Sequence, residues 1–194
     1  MIVGVVAVQG DFAEHIAVLK ELGVGIREVR LPKDLEGIDA LIIPGGESTT
    51  LRRLFDLYHL TEPIASLAAS GTPTWGTCAG MIMLAGKLTD DRPEPLGVMD
   101  ITVARNAYGR QTDSFEADVE FPKLGKEPFH TIFIRAPAIA EVGTDIEVLG
   151  SLSDGTPVAL RQGNLLVTAF HPELTKDTRF HRYFLSFVNS SNGG

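Results

Sequence analysis

Cysteine is almost missing from this chain: Cys78 is the only one in 194 residues. A single thiol excludes an intrachain disulfide and a thiolate-built metal site, and it fits a reducing compartment. Positive charge is short as well, with 17 Lys and Arg against 25 Asp and Glu, a net charge of -8 and a pI of about 5.1. The chain therefore lacks the electrostatic footprint needed to hold a phosphate backbone or an anionic membrane surface, and neither nucleic acid nor membrane is an expected partner. Long apolar runs are absent too. The opening run, residues 2–8, is too short to span a bilayer, and no basic segment precedes it as a signal peptide requires. Internal repeats and linkers are not found. The expectation is one cytoplasmic domain, residues 1–194.

What is present is ample apolar content, 44% of residues, enough for a full core. Residues 2–8 form a β-branched run of the kind that is buried on both faces of a sheet. Apolar residues at Phe12, Ile16, Leu19 and Leu22 then mark a helix closed by Gly23. Strands are expected at 25–30, 39–43 and 72–75, with helices at 48–58, 61–70 and 81–85. This alternation predicts an α/β fold: an open, mostly parallel twisted sheet with helices on both faces. Beyond Gly86 the pattern turns β-rich, with short strands at 97–104, 114–121, 130–135, 147–151, 157–162 and 165–170. Asp154-Gly155 and Gln162-Gly163-Asn164 read as hairpin turns, and residues 177–189 as a closing amphipathic helix.

Cys78 lies in Gly76-Thr77-Cys78-Ala79-Gly80, between an extended segment and an apolar helical run. A Gly-x-nucleophile-x-Gly pattern suits a strand-to-helix elbow, whose strained nucleophile needs small neighbours. A thiol at a helix N-terminus is favoured as thiolate, from a free pKa of about 8.5. Free cysteine is also a common small core residue, so the elbow alone leaves both readings open. Among the five histidines, only His171 follows an apolar strand and so shares the carboxyl edge with Cys78. Pro172 fixes the backbone after it, and Glu173 is close enough to orient its imidazole. Alone, His-Pro-Glu would pass for a surface turn.

Acyl transfer needs donors for an oxyanion, and Gly45 and Gly46 after a strand, with the Ala79 N–H, can supply them. Ser48 can equally be a helix cap and Gly-Gly a turn. His15 is expected on a helix surface, and Gln9 near the glycine loop. Trp75 is bulkier than a tightly packed strand position suggests. The charged segment 89–95 reads as an exposed loop.

Taken together, Gly76-Thr77-Cys78-Ala79-Gly80, Pro44-Gly45-Gly46-Glu47-Ser48 and His171-Pro172-Glu173 resemble the class I, triad-type glutamine amidotransferases. Gln9-Gly10, the run from Pro44 to Thr50, the run from Arg105 to Gln111, the run from Asp113 to Glu116, and Phe133-Ile134-Arg135-Ala136-Pro137 are similar, more narrowly, to the glutaminase-subunit family of pyridoxal 5'-phosphate synthases. The resemblance implies a flavodoxin-like amidotransferase fold. It implies hydrolysis of L-glutamine through a cysteine thioester, with ammonia channelled to a synthase subunit in a hetero-oligomer. Cys78 would be nucleophile, His171 base and acid, and Glu173 the orienter. Gly46, Glu47, Ser48, Arg105, Ile134 and Arg135 would bind glutamine, Arg105 and Arg135 both being carboxylate partners by charge. No metal or organic cofactor is expected. Rival readings are a glutaminase serving another synthase, a cysteine hydrolase or peptidase on the same scaffold, and a flavodoxin-like binding module with an inert cysteine.

Overall fold

The computed structural model describes residues 1–105 and 114–191. Its elements run β1 (Ile2–Val6), α1 (Phe12–Glu21), β2 (Gly25–Val29), β3 (Ala40–Ile43), α2 (Ser48–Leu57), α3 (Thr61–Ala69), β4 (Thr74–Thr77) and α4 (Ala79–Leu84). The β-rich half follows with β5 (Ala85–Leu88), β6 (Met99–Ala104), β7 (Phe115–Val119), β8 (Phe129–Phe133), β9 (Ala138–Val142), β10 (Glu147–Ser151), β11 (Pro157–Gln162) and β12 (Leu165–Thr168), and α5 (Arg179–Ser191) closes the chain.

Seven strands form the main sheet in the order β10-β11-β12-β4-β3-β1-β2. The five from β12 to β2 are parallel, while β11 and β10 add an antiparallel edge through two hairpins. The turn residues Gly155 and Gly163 take φ of 89° and 56°, as expected for those two turns. Right-handed crossovers explain why helices lie on both faces: α1 connects β1 outward to β2, whereas α2 and α3 connect β3 to β4 in the opposite direction. That reversal between β1 and β3 is the point where a doubly wound sheet opens a crevice at its carboxyl edge.

The main sheet's central strands need no polar face. Every residue of β3, β4 and β12 is buried, and so is every residue of β1 after Ile2. These four strands are covered from both sides, which is why β1 and β3 read as unbroken apolar runs, whereas β2 at the edge is buried only at Val29. The same core continues under the small sheets β5-β6-β9 and β7-β8. One cluster of rings matters for position: Phe170 packs against Phe121, Phe129, Phe133 and Phe180 at centroid distances of 5.7, 6.1, 5.7 and 5.2 Å. At about 0.5–1.5 kcal/mol per aromatic pair beyond simple burial, this cluster fixes the backbone immediately before His171.

Two strands, β5 and β9, are not among those expected from sequence, and both pair with β6 outside the main sheet. Trp75 is fully buried, with its Nε1–H donated to Thr168 Oγ1 at 3.3 Å. Its bulk fills the space between β4 and α5, against Phe180, His181 and Phe184. Among the described residues, no helix is long and apolar enough to cross a membrane.

Candidate active site

Four loops meet at the carboxyl edge, following β1, β3, β4 and β12. The loop after β4 is the elbow. Cys78 has φ 48° and ψ -104°, a conformation costly for any residue with a Cβ. It is held there from both sides: its N–H donates to Thr168 O at 2.8 Å, and its carbonyl accepts from Met81 N and Ile82 N. The flanking glycines are steric requirements. A Cβ on Gly76 would lie 2.4 Å from Gly80 C and O, and one on Gly80 would lie 2.0 Å from Ile43 O. The elbow thus packs directly on itself and on β3. Helix α4 spans only six residues, so its dipole is short.

The loop after β12 brings His171 and Glu173. His171 N–H donates to Ile132 O at 2.9 Å, tying the loop to β8. The Nδ1 atom of His171 lies 2.7 Å from Glu173 Oε1, and Cys78 is the other side chain that acts on the ring electrostatically. With Nδ1 committed to the carboxylate, Nε2 is the ring nitrogen left for proton transfer. His171 and Glu173 are both nearly inaccessible, at 3% and 5% exposure. Burial alone would push the His171 pKa down, but hydrogen bonding and charge from Cys78 and Glu173 push it up to about 10. Burial pushes Glu173 up from the ordinary carboxylate range, against the bond from His171.

The loops after β1 and β3 close over the imidazole. Gly45 packs on the ring so tightly that a Cβ there would fall 2.4 Å from His171 Cε1. Asp11 N–H donates to Gly45 O at 3.2 Å, and Asp11 Oδ2 comes within 3.4 Å of His171 Nδ1. Gly46 takes φ 153° beside the Gln9 amide, and Gln9 Oε1 accepts from Glu47 N–H at 3.3 Å. Gln9 is therefore at the glycine loop as expected. Asp11, His171 and Glu173 are also the only described residues whose ligand atoms cluster as a metal site would need. The 2.7 Å hydrogen bond from His171 to Glu173 already occupies Nδ1.

Around the crevice, Ile134 turns its carbonyl toward Cys78 Sγ at 4.0 Å, and Arg135 adopts φ 44°. Arg135 makes no hydrogen bond or ion pair among the described residues. Arg105 is placed at the start of α2, with Nη1 3.3 Å from Ser48 Oγ and 3.0 Å from Thr49 Oγ1, and Nε 2.9 Å from Asp90. The loop that includes Asp90 thus acquires a role that its sequence did not indicate. Residues 106–111 and Asp113, which carry part of the resemblance, lie outside the described residues.

Two sequence expectations need correction. Ser48 is not the helix cap. Glu47 is, its carboxylate accepting from Thr49 N, Thr50 N and Thr50 Oγ1 at 3.0, 2.6 and 2.7 Å. Burial would raise its pKa, but those bonds hold it below the usual carboxylate range. His15 is not on a helix surface. It is fully buried behind Glu173, with Nε2 3.5 Å from Glu173 Oε2. Its place on the Phe12, Ile16, Leu19 stripe was the available signal, since i+3 from Phe12 falls on the same helix face.

A doubly wound sheet with a Cys–His–Glu constellation at its carboxyl edge is the arrangement of a glutamine amidotransferase. The SNO glutamine amidotransferase family matches residues 5–190, and the chain belongs to that family. The "Pyridoxal 5'-phosphate synthase subunit PdxT" of Herpetosiphon aurantiacus is 57% identical over 95% of this chain and 99% of its own length. The protein of the same name from Moorella thermoacetica is 54% identical over 97% and 100%. A crystal structure of a glutamine amidotransferase superimposes with a TM-score of 0.89 at 48% identity, covering 96% of this chain and 98% of that one. A second glutamine amidotransferase, from Thermotoga maritima, is 14% identical over 100% and 85% with a TM-score of 0.64, and shares the fold.

Proposed function

We propose that the chain, working as one glutaminase domain over residues 1–194 in the cytoplasm, hydrolyses L-glutamine to L-glutamate and ammonia through a Cys78 thioester. It delivers the ammonia to the synthase subunit of a pyridoxal 5'-phosphate synthase. The continuous core beneath all three sheets supports the single domain. The names of the relatives support the partner.

One observation carries the chemistry: a strained, buried thiol beside an imidazole whose pKa it raises and whose Nδ1 is held at 2.7 Å by a buried carboxylate. The raised His171 pKa describes a base able to take the thiol proton as Cys78 attacks and an acid that holds it for the leaving group. Cys78 Sγ attacks the side-chain amide carbon of glutamine, and the carbonyl electrons move to oxygen. The N–H groups of Gly45, Gly46 and Ala79 are the proposed oxyanion donors, each contributing about 3–4 kcal/mol if aimed at the developing charge. His171 protonates the departing nitrogen, so that ammonia leaves and the γ-glutamyl thioester remains. Water then gives a proton to His171 and attacks the thioester, and glutamate departs as the thiol is restored. Glu173 keeps the imidazole in the required tautomer throughout.

Glutamine binding falls to Gly46, Glu47, Ser48, Arg105, Ile134 and Arg135. Arg105 is the better placed of the two arginines for the α-carboxylate, because its guanidinium already lies on the hydroxyls at the start of α2. Ammonia released into bulk water would be protonated and lost as a nucleophile, hence a shielded path into the docked synthase.

Glutamate release measured with and without the synthase subunit, for wild type and Cys78→Ala, tests this reading. Turnover should rise with the synthase and vanish in Cys78→Ala. Wild-type turnover in that variant would refute the nucleophile, and indifference to the synthase would refute the partner.

A further inference from the structure

Glu173 has two oxygens in the buried interior, and the mechanism uses one. Oε1 takes the His171 Nδ1–H, while Oε2 is buried without a partner in hydrogen-bond geometry. The group facing Oε2 is His15 Nε2 at 3.5 Å, both side chains being fully inaccessible. Behind it, His15 Nδ1 lies 3.0 Å from His181 Nε2, and His181 Nδ1 ends the line with no partner. The two imidazoles are boxed edge-on against Trp75, at centroid distances of 5.5 and 4.9 Å.

The order of protons along this line follows from its two ends. A carboxylate oxygen must meet an N–H, so His15 carries its proton on Nε2 and leaves Nδ1 as an acceptor. His181 must then donate from Nε2, which leaves a bare lone pair on Nδ1. That is the cheaper orphan, because an unpaired buried N–H is rarer than an unpaired acceptor. The opposite order would set a lone pair of His15 against the carboxylate and strand an N–H of His181 in the core. His15 Nε2 is also within hydrogen-bond distance of Thr77 Oγ1 at 3.4 Å, so its N–H is shared between that hydroxyl and Glu173 Oε2.

We propose that His15, backed by His181, is a positioning residue for the glutaminase site: its Nε2–H holds the second oxygen of Glu173, so that the first stays on His171. This rests on the reading of Cys78, His171 and Glu173 as the catalytic triad. Both imidazoles are kept neutral, since burial lowers His15 well below its ordinary range and His181 to about 3. They therefore supply a dipole to Glu173 with no competing full charge. The titratable groups facing Glu173 are His171 from its own loop, Asp11 from the β1–α1 loop and His15 from α1; His181 on α5 lies behind His15, and Cys78 faces His171. Without the His15 N–H, burial is less opposed at Glu173, whose pKa then rises further, so that it takes up a proton and releases the imidazole at a higher pH than before.

The experiment is steady-state glutamate release by the chain docked to its synthase partner, across pH, for His15→Phe, His15→Gln and His181→Phe. The same substitutions are repeated in a Glu173→Ala background. His15→Phe should lower kcat about 10–100-fold, the usual cost of losing an outer hydrogen-bond partner. KM should stay within about twofold, and the acid limb of kcat should move to higher pH. His15→Gln, which restores an N–H at similar reach, should recover most of kcat. His181→Phe should lose less, in the same direction. In the Glu173→Ala background His15→Phe should add nothing, because its effect passes through Glu173. Wild-type kcat in His15→Phe overturns the proposal, as does an equal loss in both backgrounds or a loss that His15→Gln does not recover. Should His15→Phe not fold, His15→Asn, whose shorter amide stops short of Glu173, is read the same way. Full activity in His171→Ala and Glu173→Ala would instead refute the triad itself.

Discussion

Gly45 offers the sharpest test of whether the crevice is shaped around the imidazole. Its backbone is not in the left-handed region, so alanine is conformationally allowed there, and any effect of Gly45→Ala must come from the added methyl. That methyl would start 2.4 Å from His171 Cε1, 3.1 Å from Nδ1 and 3.2 Å from Asp11 Oδ2. Ordinary contact begins near 3.4 Å, so the ring must retreat by close to an ångström, in a buried loop whose other wall is Glu173. A displacement of that size at a reacting group costs about 100-fold in rate. Overpacking costs about 1–3 kcal/mol of stability, and each kcal/mol moves Tm by about 2–4 °C in a chain of this size. The assay is glutamate release with the synthase docked, alongside a thermal melt. Gly45→Ala should lose about 100-fold in kcat, with a Tm fall of several degrees. Gly37→Ala is the control: that glycine has φ 69° with nothing within 4 Å of a Cβ, so it should lose about 1 kcal/mol of stability and no turnover. Wild-type kcat in Gly45→Ala would show that the loop does not hold His171, and the steric argument would fail.

Stability should depend on pH with opposite signs at the two ends of the histidine line. His171 is raised from 6.5 to about 10 in the fold, so its contribution is complete below pH 6.5 and is lost as pH climbs through about 10. His181 is lowered from 6.5 to about 3, so the unfolded chain binds the extra proton and stability falls as pH drops from 6.5 toward 3. Urea midpoints across pH check both: Cys78→Ala should flatten the alkaline fall and His181→Phe the acid one, and a flat wild-type profile contradicts the assignment. For substrate binding, Arg105→Ala should raise KM for glutamine about 10–100-fold with little change in kcat, the cost of removing a hydrogen bond to a charged group. A change confined to kcat would move Arg105 out of the binding role.

The parts of the site that were legible in the sequence are those tied to a local backbone device. The elbow declares itself because Gly76 and Gly80 have no room for a Cβ, and His171 because an apolar strand ends just before it and a proline follows. The parallel strands read clearly because burial on both faces leaves unbroken apolar runs. Other elements had no such mark. Strand β5 follows α4 without punctuation, the backbone switching at Ala85 to φ -54° and ψ 150° inside one apolar run. Strand β9 follows Pro137 and finds its partner in β6 rather than in a neighbour in sequence. Glu47 displaces Ser48 as cap because a longer carboxylate reaches two N–H groups and a hydroxyl at once.

The buried support behind Glu173 was hidden for a different reason. His15 and His181 are 166 residues apart and meet at 3.0 Å only after α1 and α5 have docked around Trp75. Taken singly, each is an ordinary helix histidine. Trp75, which looked too large for its strand, packs edge-on against both imidazoles, and all three rings are fully buried. The same substitution can therefore have two distinct effects: shrinking Trp75 opens a cavity in the core, and it also wets the line of imidazoles that holds Glu173. If the line acts on His171 through Glu173, Trp75→Phe should lose more turnover than its Tm predicts, and Ile64→Ala, a fully buried change on α3, which carries neither imidazole, should lose stability alone.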